Sequence, residues 1–428
     1  MMEYQYFEDK QFVDLKRIPE LVVDKLKSLG GVDVVDKGMK IAFCGVIIFD
    51  GCTYCFCPAK SSSLNIQLIG NLIKTIYSYK MSIDSSLLAY DEEELGDIIE
   101  EISLTDIFEI IDLYFNVGIL RFKTNSYSER GRTNWSKTVK REFPFFTTND
   151  VPLYLNPQKY PISVYQDDLI SSIHCEIILE ILEKFSWLDE RFSFVSEDQL
   201  FEKVLLNQMG LDQKIHFLKQ RLHSTFVSLE VRTLQLLIRY LERVQESGSN
   251  NIVIGIRKFH YVWEFLLKNI FHGVDPKINS LLPIPQYHFS DPTKNFYDSV
   301  EKGMRIDLFI KDESRCWVID SKYYLATNPG NAPGWSDLVK QFFYVKAVKL
   351  IYPDIEPEAI KNIFIFPGKE PYLSKIQMSY RHESKDIEEL KNLVADFAPI
   401  ECLYLDPVYV IEKFLRNEKS YIWHDLDR

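Results

Sequence analysis

The chain's longest apolar run, Ile41 to Phe49, is followed by Asp50-Gly51 and then by Cys52-Thr-Tyr-Cys-Phe-Cys. Two strand-favouring runs joined by Asp-Gly predict a β-hairpin with a two-residue type I′ turn. In that register Phe49 lies opposite Cys52 and Cys44 opposite Cys57, and Pro58 ends the second strand. From Ser61 to Tyr79, Leu64, Ile66, Leu68, Leu72, Ile73 and Ile76 recur at helical spacing, with serines at the start. Met81 to Leu120 keeps a helical apolar period and contains no Lys or Arg, which predicts one acidic-faced helix. Asp168 to Leu188 and Glu197 to Val244 read as long helices with few breakers. The polar break Glu246-Ser-Gly-Ser-Asn-Asn251 reads as a linker.

Beyond that break the pattern changes. Phe259 to Phe271 predicts a helix. Arg305 to Ile310 and Cys316 to Asp320 predict strands joined by the polar turn Lys311-Asp-Glu-Ser-Arg315. After a Gly/Pro/Asn loop from Leu325 to Trp335, Ser336 to Leu350 predicts a helix opened by the capping pair Ser336 and Asp337. Ile363 to Phe366 and Cys402 to Leu405 are further strands. The fold class expected is multidomain: an N-terminal α+β domain (1–157), a helical middle (158–248) and a C-terminal α/β domain (249–428). A length of 428 residues suits two or three domains at roughly 150 each.

Composition bounds the function. The net charge of −12 argues against a generally basic nucleic-acid coat, although a local basic groove stays open. The N-terminus lacks a basic, apolar leader, and no apolar run nears the roughly 18 residues of a membrane span. Seven unevenly placed cysteines suit a reducing cytosol, so a cytoplasmic protein is expected. Cys44, Cys52, Cys55 and Cys57 invite a zinc reading. The hairpin register places Cys52 on the opposite face from the other three, so apolar core thiols are expected instead. Asp91-Glu-Glu-Glu, Asp97, Glu100, Glu101, Asp106, Glu109 and Asp112 read as a solvated face or a dock for a basic partner. The charge then reverses in Arg121, Lys123, Arg130, Arg132, Lys137, Lys140 and Arg141, interleaved with Tyr127 and Trp135. That segment is either a solvated hairpin or a DNA contact through Arg132, Trp135 and Lys137. No phosphate-cradling Gly-rich loop is present, so nucleotide hydrolysis by the chain itself is not expected.

The sharpest chemistry lies in Arg305-Ile-Asp307 and Trp317-Val-Ile-Asp320-Ser-Lys322. Asp307 opens one strand. Asp320 and Lys322, two residues apart, share a face at the end of the next, so all three converge at one edge of a hairpin. Two close carboxylates repel unless a cation sits between them, and such oxygen ligands suit Mg2+ or Mn2+. A lysine beside them can orient or deprotonate a metal-bound water and stabilise charge developing on phosphorus. Glu264, inside the apolar Tyr261-Val-Trp-Glu-Phe-Leu-Leu, needs a partner, either a shared metal or a salt bridge. Asp337, Gln341 and Tyr344 share a helix face. An amide and a phenol there could position a water or a backbone phosphate, and ordinary packing would account for them equally well. The plain reading of Asp-x-Lys alone is an exposed strand end.

In their order, Glu264, Asp307, Asp320-Ser-Lys322 and Gln341 resemble the PD-(D/E)XK nuclease superfamily. Further segments resemble LlaJI-type restriction endonuclease subunits, relatives of the McrC nuclease subunit. These are Phe43-Cys-Gly-Val-Ile-Ile, Cys57-Pro-Ala-Lys60, Gly131-Arg-Thr-Asn-Trp135-Ser-Lys-Thr138, Pro152-Leu-Tyr154, Trp263-Glu264 and Val318-Ile-Asp-Ser-Lys-Tyr-Tyr. The resemblance implies a nuclease domain over 249–428 and double-stranded DNA cleavage in anti-phage defence. It also implies a Mg2+ requirement, with Mn2+ as a possible substitute, and a hetero-oligomer with a separate McrB-like AAA+ GTPase. Asp307, Asp320 and Glu264 would be metal ligands, Lys322 the catalytic lysine and Gln341 a supporting residue. Tyr344 would join Arg132, Trp135 and Lys137 as DNA contacts. Ile306 departs from the Pro, and Asp320 from the Glu, of many superfamily members. Two other readings stay open: a repair or recombination nuclease acting on ends, and a non-catalytic DNA-binding adaptor.

Overall fold

The computed structural model describes residues 3–35, 38–85, 97–126, 132–166, 169–204, 209–247, 252–291, 297–299, 302–324, 326–380 and 397–426. The acidic run at 91–94, Tyr127, Arg130, Gly131 and most of the expected linker lie outside them. The chain forms two compact units, Met1–Glu101 with Ser249–Arg428, and Ile102–Gly248. The end of the second unit coincides with the expected boundary at 248, whereas its start lies at Ile102 rather than after 157, and the N-terminal and C-terminal sheets share one unit with the second inserted between them.

The first sheet explains the insertion. It contains β1 (Glu3–Glu8), β2 (Cys44–Phe49), β3 (Cys52–Cys57), β4 (Ile98–Glu100) and β5 (Ile252–Ile256) in the order β1-β3-β2-β5-β4. Asp50 and Gly51 take φ of 48° and 75°, as a type I′ turn requires, and Phe49 pairs with Cys52. The chain leaves through β4 and returns through β5, which pairs with both β4 and β2. Where β5 meets β2, Gly255 faces Gly45. A Cβ on Gly255 would sit 2.4 Å from the Cys44 carbonyl oxygen and 2.4 Å from the buried Phe43 ring. All seven cysteines are free thiols.

Helix α1 (Ile66–Ser85) packs on β2, β3 and β5. It starts later than expected because Ser61 closes a turn onto the Pro58 carbonyl, while Asn65 accepts from the Leu68 N–H at 2.8 Å. α1 also packs against α2 (Phe259–Ile270) and α4 (Pro407–Leu415), joined by the ring contacts Tyr79–Phe265 and Phe265–Phe414.

The second sheet runs β6-β7-β8-β10-β9, from β6 (Leu308–Lys311), β7 (Cys316–Ser321), β8 (Ile360–Pro367), β9 (Lys375–Ile376) and β10 (Ile400–Leu405). β6 and β7 are antiparallel, while β7, β8 and β10 are parallel. Helix α3 (Trp335–Ile351) connects β7 to β8, and its Ala347 and Val348 share a buried cluster with Phe309 and Val318. Strand alternation carries that face onward to Asp307 and Asp320.

The inserted unit is mainly helical, with Leu104–Val117, Leu169–Phe185, Glu197–Val204, Leu211–His223 and Ser228–Ser247. The helical spacing from Glu197 to Val244 thus falls on three helices, with Gly210 as the N-cap of the second. Met81–Leu120 is likewise not one helix, since β4 interrupts it. Nor is its acidic face merely solvated. Asp106, Glu109 and Asp112 pair with Arg239, Arg232 and Arg191, while Asp97 meets both Arg257 and Lys258 at 2.9 Å. Two small ribbons, Phe122–Ser126 with Ile162–Gln166 and Phe145–Phe146 with Pro152–Leu153, flank the short helix Trp135–Arg141. His174 is fully buried. Its Nδ1 accepts the Leu120 N–H at 3.0 Å, and Ser171 donates to the Leu120 carbonyl at 2.7 Å. Among the described residues no helix is long and apolar enough to cross a membrane.

Gly255→Ala forces a Cβ into backbone and ring, and should lower stability by about 1–3 kcal/mol or more. Gly51→Ala has open space around it and should cost less. Thermal unfolding of both variants checks this, and a smaller drop for Gly255→Ala would contradict it. Burial pulls the His174 pKa from 6.5 down to about 4. The unfolded chain then gains a proton below about pH 6.5 that the folded chain refuses until about pH 4. Stability is lost across that window as pH falls, by roughly 3 kcal/mol. His174→Asn keeps an acceptor near Leu120 without the titration. The stability difference between it and the wild type should therefore shift in the variant's favour from pH 7.5 to pH 5, and a pH-independent difference in urea midpoints would refute this.

Candidate active site

The site begins in the segment just before β6. Ile306 is buried in the core. Its N–H donates to Asn279 Oδ1 at 2.9 Å and its carbonyl accepts from Asn279 Nδ2 at 3.1 Å. One side-chain amide thus holds both backbone groups, as a neighbouring strand would. This also explains why Ile is accommodated where Pro is common, because the N–H has its own acceptor. With Ile306 turned inward, Arg305 and Asp307 both line the cleft. Asp307 Oδ2 accepts from the Ser321 N–H and from the Ser321 hydroxyl, each at 2.8 Å. The carboxylate therefore spans from the start of β6 to the end of β7.

Continuing the Leu308–Ile319 pairing by one residue puts Asp307 opposite Asp320. Lys322 Nζ lies 2.6 Å from Asp320 Oδ2 and 2.9 Å from Asp337 Oδ1. Its backbone N–H donates to the Ile365 carbonyl at 2.8 Å, which fixes the residue against β8. Asp337 is not a cap. Gly334 is the N-cap of α3 and the Asp337 carboxylate goes to Lys322 instead. Burial and the facing Asp307 push the Asp320 carboxyl well above the usual carboxylate range, only partly offset by Lys322. Burial alone would depress Lys322, but Asp320 and Asp337 outweigh it and hold the ammonium more firmly charged than an ordinary lysine.

Glu264 stands on α2 among the buried Trp263, Leu266 and Leu267 and is ion-paired with Lys268 one turn on. Burial, then the charge of Asp307, raise its pKa. Glu264, Asp307 and Asp320 border one cleft of about 260 Å³ with Tyr261, Arg305, Lys322, Lys340 and Tyr344. Among the described residues no three His, Cys, Asp or Glu side chains are gathered closely enough to hold a metal together. The close pair is Asp307 with Asp320, and Lys268 engages Glu264. The donor set still fits a hard divalent cation. It consists of carboxylate oxygens, each acid has a single oxygen engaged by Ser321, Lys322 or Lys268, and the charge of Asp307 raises the proton affinity of Asp320.

The remaining expected residues fall elsewhere. Gln341 is fully buried, and its Nε2 donates to the carbonyls of Val318 at 3.0 Å and Ile363 at 3.4 Å. It ties β7 to β8 beneath α3 and does not line the cleft. Tyr344 does line it, with its hydroxyl facing the Arg305 backbone N–H. Arg132, Trp135 and Lys137 belong to the inserted unit, where Trp135 is 60% exposed and meets Tyr154 edge-on. Sequence reasoning missed Asn279, Ser321, Arg305 and Lys340. Alternation with Asp307 would have flagged Arg305, and the i, i+4 relation to Tyr344 would have flagged Lys340. A larger cavity of about 650 Å³ beside Gly368, Tyr404 and Tyr409 is also lined by Lys369, Glu401 and Asp406, of which Asp406 caps α4.

Residues 40–380 match the family model described as LlaJI restriction endonuclease. The chain is 24% identical over 321 residues to the Type II restriction enzyme BsuMI component YdjA of Bacillus subtilis (strain 168). That match takes in 72% of this chain and 64% of the relative, so it spans less than two thirds of the relative's length. Among solved structures, it is similar to a chain of the tetradecameric assembly of Thermococcus gammatolerans McrB AAA+ hexamers with bound McrC. Identity there is 12%, coverage 97% of this chain and 99% of that one, and the TM-score 0.40. A chain of the Thermococcus gammatolerans McrBC complex matches at 12% identity, covering 57% of this chain and 87% of that one, with a TM-score of 0.25. The family match runs through both compact units and takes in every residue that lines the cleft, and on that ground the chain belongs to the LlaJI restriction endonuclease family.

Proposed function

We propose that the second sheet is the core of a PD-(D/E)XK-type nuclease domain and that its cleft hydrolyses DNA phosphodiesters, as the nuclease subunit of a cytoplasmic restriction system. The observation that carries this reading is Asp307 opposite Asp320 across β6 and β7, with Lys322 held charged between Asp320 and Asp337. Mg2+ held by Asp307 and Asp320, with Mn2+ as a substitute, would lower the pKa of a bound water and offset phosphate charge. Ser321 keeps Asp307 aimed into the cleft through two hydrogen bonds. Asp337 keeps the Lys322 ammonium in place, ready to stabilise negative charge developing on the phosphate. Glu264 adds a third acid to the wall, with Lys268 limiting its charge.

The family resemblance also supports a separate McrB-like AAA+ GTPase partner that would load the chain onto double-stranded DNA. A surface suited to such docking exists in the inserted unit. Phe143, Phe145, Phe146, Val151, Leu153 and Leu155 are all exposed on and beside one short ribbon. Contiguous apolar exposure of this kind marks interaction sites.

Replacing Lys322 or Asp320 by Ala should lower Mg2+-dependent DNA cleavage by about 100-fold or more, and EDTA should abolish it. The assay uses the full chain with its AAA+ partner, and cleavage retained at wild-type rates would overturn the assignment. Phe145→Ser combined with Leu153→Ser should abolish co-purification with the AAA+ protein and leave the melting temperature unchanged. Undiminished co-purification would remove the ribbon as the dock.

A further inference from the structure

The cleft poses an electrostatic problem for its own substrate. Three carboxylates border it, and the two lysines nearest to them are already engaged, Lys322 by Asp320 and Asp337 and Lys268 by Glu264. A DNA backbone carries one negative charge per about 1.7 Å of duplex, and a metal offsets only the charge closest to it. Phosphates therefore need cations that the acids do not already hold. Two other cationic side chains line the cleft, Arg305 and Lys340, and both are exposed. Neither makes an ion pair among the described residues.

Their placement is built rather than incidental. Arg305 cannot swing away at the backbone, because Asn279 fixes Ile306 from both sides and the Arg305 N–H faces the Tyr344 hydroxyl. Two residues from Asp307 and on the same outward side, it stands on the strand wall of the cleft. Lys340 stands on the α3 wall, one turn before Tyr344 and next to Gln341, whose buried amide anchors that turn to β7 and β8. The segment before β6 and helix α3 thus each bring one cation to the cleft that the three acids border.

We propose that Arg305 and Lys340 are the phosphate clamp of this cleft, gripping backbone phosphates beside the scissile bond from two different elements that line it. The assignment rests on the nuclease reading above. Arg305 supplies a planar fork that can engage two phosphate oxygens at once, and Lys340 a point charge. Both act on binding, whereas Lys322 acts on the reacting phosphate.

The test is anisotropy titration of a labelled duplex with the full chain, in Ca2+ to prevent cutting, across a salt series. Arg305→Gln and Lys340→Gln should each reduce the slope of log K against log salt by about 0.9, and the double variant by about twice that. In cleavage assays KM should rise while kcat stays near wild type. Lys349→Gln, about 13 Å further along the same helix, should change neither. Unchanged slopes in the double variant, with wild-type binding and cleavage intact, overturn the clamp alone. A wild-type chain that neither binds nor cuts DNA, even with its AAA+ partner present, overturns the nuclease reading and the clamp together. A fall in kcat without a change in slope would place the two residues in the chemistry instead and also refute the clamp.

Discussion

Two carboxylates, each half-buried, face each other across adjacent strands in one cleft, and the neighbouring structure is organised around that repulsion. Left alone, Asp307 and Asp320 would drive apart or take up protons. Ser321 gives Asp307 two donors, and Lys322 gives Asp320 a full charge. Asp337 then balances the surplus on Lys322, and Lys268 does the same for Glu264. None of these groups comes from a loop free to drift. The Lys322 backbone is bonded to β8, Asp337 sits in the first turn of α3, and Asn279 fixes the entry to β6. Such rigidity is what a site stabilising developing charge requires, since donors that must reorganise during the reaction lose most of their benefit.

The same strand end explains why the two sheets form one unit. Lys322 turns to the cleft, and the next residue, Tyr323, turns the other way into the N-terminal sheet. Its hydroxyl accepts the Ala59 N–H at 2.8 Å and lies 3.8 Å from Cys44 Sγ, while its ring meets Phe259 and Trp263. Strand alternation thus makes one dipeptide serve both the cleft and the joint between sheets. Counting the N-terminal and C-terminal sheets as separate domains misses this, because the joint depends on residues separated by some 264 positions in sequence.

How much of this was legible in the chain depended on the range of the interaction. The β2–β3 hairpin follows from Asp50-Gly51 alone, since few residues other than Gly and Asp adopt the required φ. Asp307, Asp320 and Lys322 follow from a period of two and a short turn. What stayed hidden was set by distant partners. Nothing local says that β5 will slot between β2 and β4, or that Gly255 must be small because Gly45 and Phe43 meet it. Asp337 looks like a helix cap in sequence, and only the approach of Lys322 redirects it. Gln341 shares a helical face with Asp337 and Tyr344, yet a fully buried amide bonds the nearest carbonyls, and those belong to β7 and β8 rather than to the cleft.

The acidity of the chain takes on a different meaning in this light. Of the formal charge of −12, many of the acids that looked like an open face are neutralised within their own units, Asp106 by Arg239, Asp112 by Arg191 and Asp97 by two cations. Each such pair also removes an arginine or lysine from the pool that could meet DNA. The cations left at the cleft are therefore few and placed where the acids are densest. A chain with this net charge, and with many of its cations already paired, has little general attraction for nucleic acid. That is a reason, independent of any relative, for the proposed nuclease to depend on a second protein to bring DNA to it.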